Sequence, residues 1–303
     1  MGINHTKIKL PKEENIKPVK TIILHTKSVT SLIQLKDKRI ASCSEDGTIR
    51  IFDPSNDYHC DQVIKISKEG IKSICELDDG TIVSCTWDRI IIGTHTMKIT
   101  DRTIIYKVIV LPDNRIATCL YDGLIKIWRS IPPYSDIPIK VLEGHNQCVC
   151  SILYIKERDI MLSGSYESIL RVWNMSTYQC ISVIEDVRCR TANGIYQIDN
   201  NRVIIGGMDS ITVFNIDKYI IENKIEDKLF STMCCFLKLR DNKTILCGNL
   251  IGRFCYYDMN TKQYRITKDK KIFICASLTN LVKIDDNTFI SSCEDKRINV
   301  WNY

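Results

Sequence analysis

The stretch MLSGSYESILRVWN (161–174), set beside IATCLYDGLIKIWR (116–129), decides the fold. Each is an alternating apolar strand ending in small residues, a turn carrying an acid, and a second alternating strand closed by Trp173 or Trp128. Period-two alternation interrupted by a polar turn reads as a β-hairpin. The same hairpin recurs as IASCSEDGTIRIFD (40–53), IVSCTWDRIIIGTH (82–95), VIIGGMDSITVFN (203–215), ILCGNLIGRFCYYD (245–258) and FISSCEDKRINVWN (289–302). The turn positions Asp46, Asp88, Asp122, Glu167, Asp209, Ile251 and Asp295 follow one another at 42, 34, 45, 42, 42 and 44 residues. Regular self-similarity at this period marks an array of like units.

Each unit extends both ways. Upstream lies a short strand: VTSLIQL (29–35), IKSICEL (71–77), IYKVIVL (105–111), VCSILYI (149–155), ANGIYQI (192–198), MCCFLKL (233–239) and LTNLVKI (278–284). Downstream lies a fourth: QVIKIS (62–67), HTMKIT (95–100), IPIKVL (137–142), QCISVI (179–184), IIENKI (220–225) and QYRITK (263–268). Four short strands cannot bury an apolar face alone, but units stacked radially can. The expectation is an all-β, seven-bladed β-propeller of four-stranded antiparallel blades. The last unit has only three strands before Tyr303, while PVKTIILH (18–25) repeats the fourth-strand pattern ahead of the first. An open strand edge calls for a partner, so residues 18–24 are expected to complete the last blade. This divides the chain into a basic lead-in, 1–17, and one propeller, 18–303, with blade seven formed by 270–303 plus 18–24. RSIPPYSDI (129–137) and DPSNDYHCD (53–61) are the irregular insertions.

The units resemble WD repeats, the blades of a large propeller family, over roughly residues 18–303. Unit four carries the resemblance best, with Gly144-His145, Ser163, Glu167 and Trp173. In that family a His, a Ser or Thr, an Asp and a Trp form a buried hydrogen-bonded set. By resemblance the set is His145, Ser163, Glu167 and Trp173 in blade four, and His25, Ser42 and Asp46, with Phe52 for Trp, in blade one. Blade three offers Thr118, Asp122 and Trp128, and blade seven Ser291, Asp295 and Trp301. Blade two has no aromatic at Thr94, blade five is one residue short, and blade six has Ile251 in place of the acid.

Composition narrows the function. The 303 residues are 44% hydrophobic and 26% charged, as in ordinary globular proteins. A net charge of +6, from 42 basic and 36 acidic residues, gives no strong field for nucleic acid. No run of 18 apolar residues offers a membrane-spanning helix. The N-terminal sequence lacks the apolar core of a secretory signal, so the 15 cysteines are expected to be reduced in an intracellular, cytoplasmic setting, with the nucleus not excluded. The close pairs Cys148/Cys150 and Cys234/Cys235 have the wrong spacing for structural zinc, and neither metal nor cofactor is expected. Met1-Gly2 followed by Thr6 fits an acylation pattern, with Lys7, Lys9, Lys12, Lys17 and Lys20 behind it. Membrane contact is expected only if Gly2 is acylated; the alternative is a solvated lead-in.

No motif for nucleophilic, metal or phosphate chemistry occurs, and the expectation is no enzyme. In WD-repeat proteins the residue before the turn acid commonly lines the channel rim on the top face. Here those residues are Glu45, Trp87, Tyr121, Tyr166, Met208, Leu250 and Glu294. Blades two to six would offer Trp87, Tyr121, Tyr166, Met208 and Leu250, with Lys68, Arg102, Arg188 and Arg190 in neighbouring loops. Large apolar groups and aromatics mark binding surfaces; the opposing reading is that these side chains cap the core. The leading functional reading is a non-catalytic scaffold, a monomeric propeller within a complex, that binds a partner protein or peptide on this face. The alternatives are a substrate-recognition subunit of a ubiquitin ligase and, remotely, a propeller enzyme. Against the former, the third strands end in Trp128-Arg129-Ser130, Trp173-Asn174-Met175 and Trp301-Asn302-Tyr303 rather than Trp-Asp-x-Arg.

Overall fold

Ile40–Ser44 is buried along its whole length, as is Ile160–Ser165. His59–Lys65, two strands further out, alternates between solvent and protein. The second strand of each repeat is covered on both faces, which demands continuous apolar and small residues, while the outermost strand keeps one wet face. A computed structural model, which describes residues 18–99, 103–266 and 277–302, arranges these strands as seven four-stranded antiparallel sheets. The sheets form a closed seven-bladed β-propeller.

Blade one consists of β2 (Val29–Gln34), β3 (Ile40–Ser44), β4 (Thr48–Asp53) and β5 (His59–Lys65), in that order from the axis outward. Blade seven is assembled from both ends of the chain. Its order is β26 (Leu278–Lys283), β27 (Thr288–Cys293), β28 (Arg297–Asn302) and, outermost, β1 (Lys20–Ile23). Lys20 faces Val300 and Ile22 faces Ile298 across this last pairing. The Val19 amide adds a bond of 2.8 Å to the Val300 carbonyl.

The apolar core is divided among seven clusters, one for each contact between consecutive blades. Closure is visible in the one joining Ile22, Ile290, Ile298 and Val300 of blade seven to Val29, Leu32, Ile40 and Phe52 of blade one. Around the axis the inner strands are also tied by polar side chains. Thr30 Oγ1 donates to Ile71 O at 2.7 Å, Ser151 Oγ to Ala192 O at 3.0 Å, and Thr279 Oγ1 to Val29 O at 2.8 Å. A register shift at the second residue of five inner strands supports the two threonine contacts: Thr30, Tyr106, Cys150, Cys234 and Thr279 all sit at such a bulge. A bulge turns a side chain away from its own sheet.

The unequal repeat spacings have local causes. In blade two, β8 (Arg89–Ile92) returns into β9 (His95–Lys98) through Gly93-Thr94 alone, with Gly93 at a φ of 57°. That left-handed turn leaves no room for a closing aromatic. In blade five, β19 (Arg202–Gly207) meets β20 (Ser210–Asn215) across Met208-Asp209, and Asp209 has a φ of 55°. The shorter turn accounts for the missing residue. In blade six Asn249 does the work of the absent acid: its Oδ1 accepts from the Ile251 and Arg253 amides, and its Nδ2 donates to Phe230 O at 2.8 Å. The fourth strands are mostly shorter than expected; in blade three only Lys140–Leu142 pairs, because the 129–137 insertion occupies the approach.

Candidate functional site: the top rim of the propeller

Two kinds of site residue occupy the same edge of the molecule, and their roles separate by burial. In blade four, Trp173 Nε1 donates to Ser163 Oγ at 2.8 Å, and Ser163 lies 2.7 Å from His145 Nε2. His145 Nδ1 meets Glu167, whose other oxygen takes the Asn146 amide at 3.1 Å. The only assignment that satisfies every atom is a neutral imidazole, with Nδ1–H donating to the carboxylate and Nε2 accepting from the serine hydroxyl. Burial pulls the His145 pKa below its ordinary value of 6.5, against the opposing pull of Glu167. Blade one repeats the arrangement with His25, Ser42 and Asp46, at 2.8 and 3.0 Å, and Phe52 supplies no donor. Burial works against the Asp46 charge, but the Thr48 hydroxyl and the Thr26 amide outweigh it and hold the carboxyl down to about 2.

Blades three and seven contain only the outer half of the set. Trp128 Nε1 donates to Thr118 Oγ1 at 2.8 Å, and Trp301 Nε1 to Ser291 Oγ at 2.9 Å. Asp122 accepts from the amide of Leu124 and Asp295 from that of Arg297, so each caps its own turn. The structure does not bring these two acids to the tryptophans. The buried members, His25, Ser42, Thr118, His145, Ser163 and Ser291, are spent on internal hydrogen bonds, as buried polar groups must be, whereas Asp122 is exposed and Asp295 half-buried. Among the described residues no group of three or more His, Cys, Asp or Glu is placed to hold a metal ion.

The rim residues are placed by backbone bonds. The amides of Glu45, Tyr121, Tyr166, Met208, Leu250 and Glu294 each donate to the segment that leads into the inner strand of their own blade, for example Tyr121 to Ile104 O at 2.9 Å and Leu250 to Thr232 O at 3.0 Å. Their side chains are thereby presented at the channel mouth. Trp87 is 43% exposed, Tyr121 56%, Met208 44% and Leu250 38%. Tyr166 is half-buried. Lys68 is exposed and without an ion-pair partner among the described residues, Arg188 is drawn toward Asp186 and Glu226 at 3.8 and 3.9 Å, and the Arg190 guanidinium lies 5.1 Å over the Tyr166 ring. Arg102 and Gly2 lie outside the described residues.

Two members of this surface were not singled out in the sequence. Lys72 stands 4.0 Å over the Trp87 ring and bonds Glu45 at 3.0 Å, so it fixes the indole through a cation–π contact. Tyr106 stacks at 6.5 Å on Tyr121 and meets Tyr166 edge-on at 6.4 Å. By register both lie two residues before the inner-strand residue that faces Ser84 or Thr118, at the position where other blades carry Thr30, Cys150, Asn193, Cys234 and Thr279. A large residue at that position was the available signal. Burial raises the Tyr106 and Tyr166 phenols above their ordinary pKa of 10, so both remain neutral.

Among known proteins, the family described as "WD domain, G-beta repeat" matches residues 16–53 and 136–174, the segments leading through blades one and four. Nuclear distribution protein nudF of Aspergillus niger is 24% identical over 171 residues, 56% of this chain and 31% of that protein. Cell division control protein 4 of Saccharomyces cerevisiae is 22% identical over 311 residues, 92% of this chain and 36% of that protein. The chain thus spans about a third of the length of these relatives. The crystal structure of the WD40 β-propeller domain of Doa1 is similar in fold, with a TM-score of 0.74, 14% identity, and 95% of this chain and 97% of that chain covered.

Proposed function

Since this chain is a seven-bladed propeller carrying WD repeats, we propose that it is a non-catalytic interaction scaffold that binds a partner protein or peptide on its top face, around the channel. The observation that carries this reading is the row of large side chains at one rim position in successive blades: Trp87, Tyr121 and, half-buried, Tyr166, then Met208 and Leu250. Exposed aromatics held in place by neighbours bind with little further loss of side-chain freedom. Trp87 is held by Lys72, and Tyr121 by Tyr106. The partner segment is apolar and partly acidic, matching the aromatics and the cations Lys68, Arg188 and Arg190 beside them. The setting is the cytoplasm or nucleus.

The test is capture from native extract, quantified by mass spectrometry, with the double variant Trp87→Ala/Tyr121→Ala against wild type. A control variant, Ile181→Ala, removes a side chain that is 44% exposed on the outer strand β17 (Cys180–Ile184). The rim variant should lose the captured partner at an unchanged melting temperature, and the control should keep it. Retention of the partner by the rim variant refutes the reading.

A further inference from the structure

At the bulge of the inner strands a short side chain reaches over to the start of the next blade. Thr30 Oγ1 donates to Ile71 O at 2.7 Å, Cys234 Sγ to Leu278 O at 2.7 Å and Thr279 Oγ1 to Val29 O at 2.8 Å. Each acceptor carbonyl there belongs to an apolar residue. Between blades four and five it belongs to a second cysteine. The Cys150 Sγ, on β14 (Val149–Ile155), lies 3.4 Å from Cys189 O and 3.8 Å from Cys189 Sγ. The second strand makes room for this pair. Gly164 stands where blades one, two and three carry Cys43, Cys85 and Cys119. A Cβ on it would meet Cys189 Cβ at 2.6 Å and Cys189 Sγ at 2.7 Å. A glycine inside a strand marks such a close approach.

The two sulfurs differ. The Cys150 thiol donates to Cys189 Sγ. Chiefly that bond, with the Thr191 backbone and the Lys107 charge, holds the Cys189 thiol below its ordinary pKa of 9.0 against burial, whereas burial pushes Cys150 well above it. Cys189 is thus the thiolate of the pair, and the thiolate is the reactive form. Both sulfurs are buried, and access runs through the chain around Cys189. Between β17 and β18 (Ile195–Gln197) that chain forms no strand, and its ladder contact is the isolated bridge of Cys189 to Gly207. Arg188, Arg190, Thr191, Ala192 and Asn193 around it are half-buried. Local opening of this segment exposes Cys189 without unfolding either blade.

We propose that Cys150 and Cys189 are a redox pair, held as two thiols in a reducing compartment and closed by hydrogen peroxide into a disulfide that staples blade four to blade five. The Cys189 thiolate attacks one peroxide oxygen and becomes a sulfenic acid. The other oxygen leaves as hydroxide and takes up the proton that Cys189 gave away. The Cys150 sulfur then displaces the sulfenic oxygen, which departs as water with the Cys150 proton. The pair loses two electrons and two protons, and the peroxide becomes two waters. Disulfides of this transient kind are those found in reducing compartments. The staple needs no partner protein, so it stands apart from the rim reading.

The test treats the full, reduced chain with hydrogen peroxide, blocks the remaining thiols with N-ethylmaleimide and digests with trypsin, without reductant, for mass spectrometry. Wild type should yield a linked peptide pair through Cys150 and Cys189, lighter by two hydrogens than the free peptides together, and dithiothreitol should release it. The melting temperature should rise on oxidation and return on reduction, because closing the loop between these residues restricts the unfolded chain. Cys150→Thr installs the residue that blades one and seven carry at this position, and Cys189→Val installs the counterpart of Val29. Both should fold, and both should lose the linkage and the rise together. Cys148→Ser removes the other thiol of the Cys150 peptide and should keep both. Peroxide treatment that leaves Cys150 and Cys189 unlinked, whether as thiols or as sulfinic or sulfonic acids, overturns the proposal. So does linkage with no rise in melting temperature, or the same rise in Cys150→Thr.

Discussion

Replacing Ser163 with alanine tests the relay of blade four at its centre. Ser163 Oγ is the acceptor for Trp173 Nε1 at 2.8 Å and the partner of His145 Nε2 at 2.7 Å. Its removal leaves two buried groups unmatched, at about 1–3 kcal/mol each, so the expected loss is about 2–6 kcal/mol. Ser291→Ala strands only Trp301 Nε1, and Ser42→Ala strands only His25 Nε2. Each of these single losses is about 1–3 kcal/mol. The Ser163 variant should therefore lose about as much as the other two variants together. Urea unfolding followed by tryptophan fluorescence gives the order, with a shifted midpoint at an unchanged slope reporting stability alone. A Ser163→Ala variant no less stable than Ser291→Ala refutes the relay.

Two further outcomes follow from the same structure. Ile22 is 7% exposed and Ile23 is 66% exposed on the same strand, so Ile22→Ala should cost about 2–4 kcal/mol and Ile23→Ala under about 0.5 kcal/mol in urea midpoints. Acid should act in two windows. His25 and His145 are both below their ordinary 6.5 in the folded chain, so the unfolded chain takes up protons first and stability falls as pH drops below 6.5. Asp46, held at about 2 against an ordinary 3.8, contributes stability above pH 3.8 that is lost as pH falls toward 2, about 2 kcal/mol in all. Asp46→Asn should remove the lower step in melting temperature against pH; an unaltered lower step contradicts the role given to Asp46.

The hairpin repeat was legible because the strand positions that face neighbouring blades tolerate only apolar or small residues, as in Ile116–Leu120 and Ile160–Ser165. Ring closure was legible for the same reason: VKTI (19–22) before Ile23-Leu24-His25 repeats the spacing of IKVL (139–142) before Glu143-Gly144-His145. The polar set was legible only in part. A turn acid reads alike whether it receives a histidine, as Asp46 does, or caps its own turn, as Asp122 does. The difference lies some twenty residues upstream, where blades three and seven offer no histidine. Lys72 and Tyr106 escaped because they lie about fifteen residues before Trp87 and Tyr121, at the inner strand of the same blade, and nothing local to Trp87 or Tyr121 points to them.

The closed ring is tested most directly by hydrogen exchange on the intact chain, comparing amides of residues 19–23 with those of residues 297–300. Pairing between β1 and β28 predicts slow exchange of both segments, with protection of the same order. Exchange of 19–23 at the rate of a free peptide, while 297–300 remain protected, contradicts closure by this strand.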